Sequence, residues 1–294
     1  MTSVAHPTSA RTWVFHHPER ETLLVSGPER LSWLNGVVTC DVRELRPGRA
    51  AFGLALSRTG KIHSDLWLAA SADQVLIAVA PGTSQGLLQE FQRMLIMEDA
   101  EIESVATATW LTVHGPASGS VTAELCSSLR PRASGEIALL HPGDYVLVTD
   151  SVPQSPSSEL PDVCFGTEAD WQALRIEHGL PLFGIDFDVR ANPHDASLER
   201  RAVSWSKGCY LGQEVVCMQD MRGKPKYRMV PLQLAAGVNA AVGDTVSDEH
   251  GAAVGELTSV APSQRLASSV ALARLAVAAA GAQLFVAGKP AQRI

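Results

Sequence analysis

Apolar and polar positions divide the chain into a mixed first part and a strand-rich last part. Up to about residue 225, short apolar runs alternate with longer stretches at helical spacing, such as Leu87, Leu88, Phe91, Met94 and Leu95. Apolar residues three and four apart predict a helix face, whereas short runs bounded by glycine and proline predict strands. From about residue 229, apolar stretches separated by glycine and aspartate predict strands alone. The chain is therefore predicted to be an α+β protein with a small C-terminal β-barrel.

Individual elements follow from the same pattern. Strands are predicted at 22–25, 51–56, 62–68, 75–79, 101–105, 110–113 and 145–148, and helices at 31–37, 87–97, 117–129 and 171–177. The runs at 51–56 and 62–68 are joined by a short polar turn, which is typical of a β-hairpin. Gly179 is expected to end the last helix. Residues 151–158 (S-V-P-Q-S-P-S-S) have the composition of a linker.

Composition restricts the function classes. The chain has 294 residues, of which 46% are hydrophobic and 19% charged, so it should be globular, with two or three domains. A net charge of −7 argues against general nucleic-acid binding and against a membrane surface as the partner. The residues before position 11 lack an apolar segment, so no secretory signal is expected.

The cysteines favour a reducing compartment. Five cysteines occur, at positions 40, 126, 164, 209 and 217, without a C-x-x-C pair. A disulfide scaffold or a structural zinc site is therefore not expected, and the cytoplasm is the predicted location. The histidines do not have the spacing of a metal site either, so no metal is predicted.

The segment Lys207–Glu214 (K-G-C-Y-L-G-Q-E) concentrates unusual chemistry. Glycines on both sides of Cys209 would let a ligand approach the backbone closely. A neighbouring cation such as Lys207 or Arg222 would raise the thiolate fraction of Cys209. The alternative is that Cys209 is a small buried apolar residue, as free cysteines often are. Because two valines follow, the segment is expected to be a turn that leads into a buried element.

Five segments together resemble the YgfZ family, folate-binding iron–sulfur assembly factors related to the glycine-cleavage T-protein. They are, in chain order, L-N-G-V-V-T-C-D (34–41), G-K-I with D-L (60–66), R-I-E-H-G-L-P (175–181), the motif at 207–214, and G-E-L-T-S (255–259). The cysteine motif is the most specific, because the cysteine is absent from T-proteins. The resemblance implies two ferredoxin-like αβ units and a small C-terminal β-barrel around a central channel.

The resemblance also implies a domain division. A discontinuous folate-binding αβ domain would comprise residues 1–50 together with 165–222. Residues 51–164 would form the second αβ domain, and residues 223–294 the β-barrel. In the relatives the first domain is likewise interrupted, so chain order and spatial order need not agree.

Site residues are carried over from the resemblance. Glu177 would anchor the pterin, since a carboxylate accepts the neighbouring N–H donors of a reduced pterin. Cys209 and Lys207 would carry the chemistry. The remaining cofactor-binding residues would be the neighbours of the thiol and two distant side chains: Gly208, Tyr210, Gly212, Gln213, Glu214, Asp65 and Arg222.

The residues alone leave structural alternatives open. Glu177 could instead be a solvent-facing helix residue paired with Arg175 or Arg190, and Asp65 a surface acid of the hairpin. Residues 222–228 (R-G-K-P-K-Y-R) hold four cations and no acid. They could bind the anionic tail of a folate, meet a protein or RNA, or form a solvated loop between domains.

Two departures from the family pattern bear on activity. Where the family usually has P-x-E before the cysteine motif, this chain has Pro193-His194-Asp195, with a shorter carboxylate. T-proteins have an acidic pair in the hairpin, and one of its members serves catalysis; here the pair is Ser64-Asp65. The loss of one acid argues against aminomethyl transfer.

The resemblance implies a tetrahydrofolate-binding protein that acts in the assembly or repair of iron–sulfur clusters in client enzymes, in a family associated with tRNA modification. Tetrahydrofolate or a derivative is the expected cofactor, and iron–sulfur client proteins or the assembly machinery are the expected partners. Two alternatives stay open: a folate-dependent aminomethyltransferase or methyltransferase, and a non-folate module that docks partners through residues 222–228. An accessory factor is favoured over an enzyme.

Overall fold

The computed structural model describes residues 11–151, 163–223 and 225–294. Three predictions lie wholly or mostly outside the described residues. They are the absence of a signal segment before residue 11, the linker at 151–158, and the cation at position 224.

Five helices and sixteen strands form within the described residues. The helices are α1 Arg30–Val37, α2 Ser84–Met94, α3 Ser118–Leu129, α4 Glu168–Glu177 and α5 Gln213–Arg222. The strands before α4 are β1 Thr12–His17, β2 Glu21–Ser26, β3 Gly48–Leu56, β4 Ile62–Ala70, β5 Gln74–Val79, β6 Glu101–Val105, β7 Thr109–His114, β8 Ala133–Ile137, β9 Asp144–Thr149 and β10 Val163–Phe165. The strands after α5 are β11 Tyr227–Leu234, β12 Thr245–Ser247, β13 Ala253–Ser263, β14 Ser268–Ala276, β15 Leu284–Val286 and β16 Lys289–Arg293, with a 3-10 turn at Val277–Ala279.

Two ferredoxin-like units share one sheet, whose described strands run in the order β10-β1-β7-β9-β8-β3-β4-β5-β2-β6. The first unit is built from β2, α1, β4, β5, α2 and β6; β3, which lies between α1 and β4 in the chain, pairs beside β4. In the second unit, β7, α3, β8 and β9 are completed by β1, and β10 runs parallel to β1. The units meet where β3 and β8 pair in parallel. This junction depends on Gly135, because a Cβ there would lie 2.4 Å from the carbonyl carbon of Arg49.

Both faces of the sheet are covered. α1 and α2 pack on one face of the first unit, where Trp33 and Phe91 join the core, and α3 packs on the second unit. α4 and the irregular segment 178–212 cover the other side, where the fully buried rings of Trp67, Trp110 and Trp171 lie. Full burial of a large apolar side chain stabilises the fold by about 1.5–3 kcal/mol.

The last six strands form a closed barrel in the order β11-β14-β13-β12-β15-β16, with its own apolar core. The predicted α+β class, with two ferredoxin-like units and a C-terminal β-barrel, is confirmed. The domain boundary predicted between residues 50 and 51 lies inside β3. The division into domains stays a prediction, and so does the central channel.

Some elements differ from the pattern-based prediction. The helix expected at 87–97 ends at Met94, because Leu95 is already extended. β1 was not predicted, since it lies between two strands with both faces covered and its residues therefore do not alternate. The prediction of a buried element after the cysteine motif is wrong. That segment is α5, a helix whose buried residue is Val216 and whose Met218 and Met221 are exposed.

Sequence signals at both ends of α4 explain its length. Thr167 and Asp170 form a capping box, in which the Asp170 N–H donates to Thr167 Oγ1 (3.3 Å) and the Thr167 N–H donates to Asp170 Oδ2 (2.9 Å). At the other end, Gly179 takes the left-handed conformation (φ +60°) that ends a helix, as predicted.

A buried ion pair joins α4 to the barrel. Arg175 Nη1 donates to Asp186 Oδ2 (2.8 Å), and both side chains are completely inaccessible to solvent. Arg175 Nη2 donates to Ser259 Oγ of β13 (2.7 Å), while Asp186 accepts hydrogen bonds from the hydroxyls of Thr258 (2.7 Å) and Ser259 (2.6 Å). The pair therefore fixes one helix, one loop and one barrel strand relative to each other.

Arg175→Met should lower the free energy of unfolding by about 3–5 kcal/mol, because it leaves the Asp186 carboxylate buried without its counter-ion. Chemical denaturation followed by circular dichroism measures the change. The matched control is Arg190→Met, which breaks an arginine–aspartate pair whose arginine side chain is 88% exposed. We expect it to cost much less than Arg175→Met, because solvent screens an exposed ion pair. Equal costs for the two variants would contradict this assignment.

Candidate functional site

A cavity of about 810 Å³ lies between the segment 184–195, α5 and the barrel. It brings together side chains from four segments that the sequence analysis singled out separately: Lys61, Asp195, Lys226 with Tyr227, and Glu256. These belong to the hairpin, the Pro193-His194-Asp195 segment, the cationic segment and the G-E-L-T-S strand. Of the described residues that line the cavity, none belongs to the predicted catalytic or cofactor-binding set.

The cations of the cavity differ in how they are paired. Lys61 Nζ donates to the Arg190 carbonyl oxygen (2.6 Å), and Arg190 pairs with Asp188 (2.7 Å), whose pKa is lowered by that hydrogen bonding. Arg274 pairs with Glu256 (2.8 Å). Within the described part of the chain, the Lys226 ammonium has neither a hydrogen bond nor an ion pair. It is therefore the lining cation that is available to an incoming anion.

The rest of the lining combines apolar and hydrogen-bonding surface. Phe187 and Met229 supply apolar area, and the ring of Tyr227 lies under the guanidinium of Arg274 at 4.6 Å. Asp195 accepts one hydrogen bond, from Asn192 Nδ2 to its Oδ2 (2.5 Å), which leaves the other carboxylate oxygen for a ligand donor. A cavity of this size with a few polar groups is typical of small-molecule sites.

Glu177 lies elsewhere, at the end of α4 against the barrel. Its carboxylate accepts hydrogen bonds from the Ser263 hydroxyl and from Arg265 Nε (2.5 Å), and its side chain is only 5% exposed. Neither suggested partner, Arg175 or Arg190, pairs with it, and it does not face solvent. In this structure Glu177 connects α4 to the turn between β13 and β14.

Asp65 is buried rather than on the surface, so the alternative of a surface acid is wrong. It pairs with Arg20 Nη2 (2.6 Å), and the Arg20 guanidinium lies 4.2 Å from the ring centre of Trp67. Asp65 Oδ1, Arg20 Nη1 and Trp67 Nε1 are buried without a hydrogen-bond partner in the described part of the chain, and the neighbouring His17 Nδ1 lies 3.5 Å from the Glu19 carboxylate. Burial also lowers the pKa of His17 to about 4. Unpaired buried polar atoms in such number are typical of a place that receives water or a ligand.

Lys207 was predicted to stabilise the Cys209 thiolate, but the hydrogen bonds of its ammonium go to the loop after α1. Its ammonium donates to the carbonyl oxygens of Val38 (2.7 Å) and Cys40 (2.8 Å) and lies 5.3 Å from the ring centre of Tyr210. Burial lowers the pKa of Lys207 to about 8, and burial raises the pKa of the Cys40 thiol to about 12. Lys207 therefore ties the cysteine motif to the loop after α1.

Cys209 is exposed, with no disulfide partner. Gly208 is also exposed, and a Cβ there would meet nothing within 4 Å. Gly36, whose carbonyl oxygen accepts a hydrogen bond from the Leu211 N–H (3.0 Å), is equally unobstructed. The fold does not require glycine at either position. The surface beside the thiol is open to a ligand or a partner.

The rest of the motif shapes the start of α5. Gly212 takes a left-handed conformation (φ +79°), and a Cβ there would lie 2.6 Å from the Ser57 carbonyl oxygen. Gln213 begins the helix, and Glu214 in its first turn complements the helix dipole. Tyr210 is buried with an unpaired hydroxyl, and burial raises its pKa.

Arg222 ends α5 and is exposed, without a hydrogen bond or ion pair among the described residues. Arg228 of the same cationic segment is paired with Glu199 (2.6 Å). The segment therefore divides into Lys226 and Tyr227, which line the cavity, and cations that face elsewhere. No described contact joins Glu177 to the Cys209 thiol. Glu177 bonds to Ser263 and Arg265, whereas Leu211 of the cysteine motif bonds to Gly36 of α1.

Sequence reasoning missed the side chains between residues 184 and 190, which form one wall of the cavity. The signal was present: aspartates 186 and 188 alternate with apolar residues in G-I-D-F-D-V-R. It also missed Arg20, the partner of Asp65, for which the sequence offered no signal.

Neither a metal-binding group nor a membrane-spanning helix is found among the described residues. Among the described residues, the histidines, cysteines and carboxylates do not form a group of three or more suited to hold a metal ion. Within the same part of the chain, none of the helices combines the length and the apolar content that crossing a bilayer requires.

Comparisons with known proteins connect the chain to a family. Residues 11–134 match the GCVT N-terminal domain. The chain is 28% identical to the tRNA-modifying protein YgfZ of Yersinia enterocolitica, covering 77% of this chain and 72% of the relative. It is 24% identical to the tRNA-modifying protein YgfZ of Colwellia psychrerythraea, covering 73% and 69%. The resemblance to the YgfZ family is confirmed.

A solved structure shows the same fold. The glycine cleavage system aminomethyltransferase T of Bartonella henselae matches with a TM-score of 0.77 and 20% identity, covering 98% of this chain and 86% of that one. The T-protein-like architecture predicted from the motifs is therefore confirmed.

Lys207→Met should lower the free energy of unfolding by roughly 2–4 kcal/mol, because it leaves two buried carbonyl oxygens without a donor. The control is Lys61→Met. The Lys61 ammonium donates to one exposed carbonyl oxygen, so this substitution should lower the free energy of unfolding by less than about 0.5 kcal/mol.

The pH dependence of stability is a second measurement on Lys207. Since the pKa of Lys207 is lowered on folding from about 10.5 to about 8, the folded state loses this proton first. The stability of the wild type relative to Lys207→Met should therefore rise between pH 8 and 10.5. A difference that falls with pH would contradict the assignment.

Proposed function

We propose that this chain, as a homologue of the YgfZ proteins, binds tetrahydrofolate or a derivative and acts in the assembly or repair of iron–sulfur clusters in client enzymes. The observation that carries the folate part is the cavity of about 810 Å³, which Lys61 and Glu256, from two segments of the family resemblance, line together with Asp195 and Lys226.

The residues of the cavity fit the two ends of a folate. The carboxylate of Asp195, with one free oxygen, would accept hydrogen bonds from the N–H edge of the pterin. Lys226 would pair with the anionic glutamate tail, since its ammonium has no described partner. Phe187, Tyr227 and Met229 would cover the flat rings. When bound, the folate would supply either its one-carbon group or its reduced pterin ring.

Glu177 remains the alternative pterin anchor. Both of its carboxylate oxygens already accept hydrogen bonds from the barrel, so a pterin would have to share or displace those donors. Asp65 and Arg20, with their unpaired buried atoms, are a further group that a ligand could reach if the side chains around them move. We favour Asp195 because it lines an existing cavity.

An accessory role is favoured over aminomethyl transfer. The hairpin acid that remains, Asp65, is buried in an ion pair with Arg20, so its carboxylate is already engaged and is not exposed to a substrate amine. The exposed Cys209, next to the unobstructed Gly208, is suited to contact a client protein or its cluster. Because the relatives are named tRNA-modifying proteins, we infer that this protein would serve iron–sulfur enzymes of tRNA modification.

Lys226→Gln should weaken the binding of folinic acid about tenfold or more, because a charge-assisted hydrogen bond contributes about 1.5–3 kcal/mol. Isothermal titration calorimetry of the full chain measures the dissociation constants. Arg200→Gln removes the same charge from an exposed arginine outside the cavity and should leave affinity unchanged within about twofold.

Three further variants locate the ligand. Asp195→Asn should weaken binding if the pterin lies in the cavity, whereas Glu177→Gln should do so if the sequence-based anchor is right. Arg222→Gln tests whether the tail lies at the end of α5 instead. If the wild type does not bind folinic acid at all, the folate proposal fails and the protein-docking alternative gains support.

Cys209→Ser should leave folinic acid affinity and melting temperature unchanged, because the side chain is exposed and lies outside the cavity. It should abolish rescue of a strain that lacks this protein, measured as the activity of an iron–sulfur enzyme in cell extracts. Cys217→Ser, at a half-buried thiol on α5, is the matched control and should retain rescue. Full rescue by Cys209→Ser would remove the thiol from the function.

A further inference from the structure

The loop after α2 presents two apolar side chains to solvent. Ile96 is 82% exposed and Met97 is 91% exposed, more than any other large apolar residue in the described part of the chain. Single exposed apolar residues are common on protein surfaces. Two adjacent ones at a loop tip leave a larger apolar area in water, although a small change of the loop could bury it.

The loop is held rigidly in this exposed form. Glu98 Oε2 accepts hydrogen bonds from the backbone N–H groups of Ile96 and Met97, both at 3.1 Å. Glu29 Oε2 accepts a hydrogen bond from the Asp99 N–H (2.7 Å), and the Glu29 N–H donates to the Asp99 carbonyl oxygen (3.1 Å). Two carboxylates and four hydrogen bonds therefore fix the backbone around the exposed pair.

A glycine allows the loop to pack so closely. Gly27 has φ +99°, and a Cβ there would lie 2.5 Å from the Asp99 carbonyl oxygen. A rigid presentation of this kind lowers the conformational entropy that would be lost when a partner binds.

The surroundings of the loop are strongly acidic. Exposed carboxylates belong to Glu29, Glu98, Asp99, Glu101 and Glu103. The cations nearby in the chain are Arg93 and Arg30, and the Arg30 guanidinium is engaged by the Gly27 carbonyl oxygen (3.0 Å). Glu101 and Glu103 lie on β6, the last strand of the sheet, whose outer edge pairs with no other described strand. Acidic side chains on a free edge discourage pairing with an identical copy.

We propose that this surface, Ile96 and Met97 together with their five surrounding carboxylates, docks a partner protein that offers an apolar pocket bordered by lysine or arginine. Charge complementarity selects this occupant. A nucleic acid or an anionic membrane would be repelled by the carboxylates. A second copy of the chain would place two acidic surfaces against each other. The surface is separate from the cavity and from Cys209, so it would hold a partner while those sites remain free.

The test begins with a photo-crosslinker in the full chain. p-Benzoylphenylalanine replaces Met97 in cells that depend on this protein, and the control places it at Ser128, an exposed position on α3. We expect a discrete cross-linked partner at position 97 that is absent at position 128. A cross-linked homodimer, a cross-link within the same chain, or no specific product would overturn the proposal.

The identified partner is then purified and titrated against the full chain by calorimetry. Ile96→Ser/Met97→Ser should weaken binding at least tenfold while leaving the melting temperature and folinic acid affinity unchanged. Wild-type affinity should fall as salt is raised, and Glu101→Gln/Glu103→Gln should reduce that salt dependence. Equal affinity of the double serine variant, or affinity that does not respond to salt, would contradict the assignment.

Discussion

The buried pair between Arg175 and Asp186 is the constraint on which the arrangement of barrel and body depends. Two charges that are removed from water must be fully paired, because an unpaired buried charge costs several kcal/mol. Here the partners come from α4, from the segment that follows it and from β13. Asp186 also lines the cavity, so the geometry that satisfies the pair also fixes one wall of the candidate site.

Two motifs of the family resemblance supply contacts that hold the fold together. In R-I-E, Arg175 holds the barrel and Glu177 reinforces the same contact from the end of the helix. In the cysteine motif, Lys207 holds two carbonyl oxygens and Gly212 allows contact with the hairpin. Once these structural needs are met, Gly208 and Cys209 are left without a role in folding. These unexplained residues are the ones to which we assign function.

α5 links the two parts of the proposed function. The exposed thiol lies just before the helix, and Gln219 on the same helix lines the cavity. This helix buries little apolar surface, with Val216 as its buried residue, so local packing stabilises it less than it stabilises α4. The acidic loop around Ile96 and Met97 lies on a different part of the surface, next to the edge strand β6.

The sequence alone determined the fold class, because alternation and helical spacing report burial directly and the motif order resembled a known family. It also singled out the segments that contribute Lys61, Asp195, Lys226 and Glu256 to the cavity, but it missed the wall formed by residues 184–190. Only the tertiary structure decided which of those side chains meet. Lys207 and Asp65 carry charges whose partners, Val38, Cys40 and Arg20, lie 45 or more residues away. No local pattern specifies such pairings, because they are set by how the elements pack and by the requirement that every buried charge be satisfied.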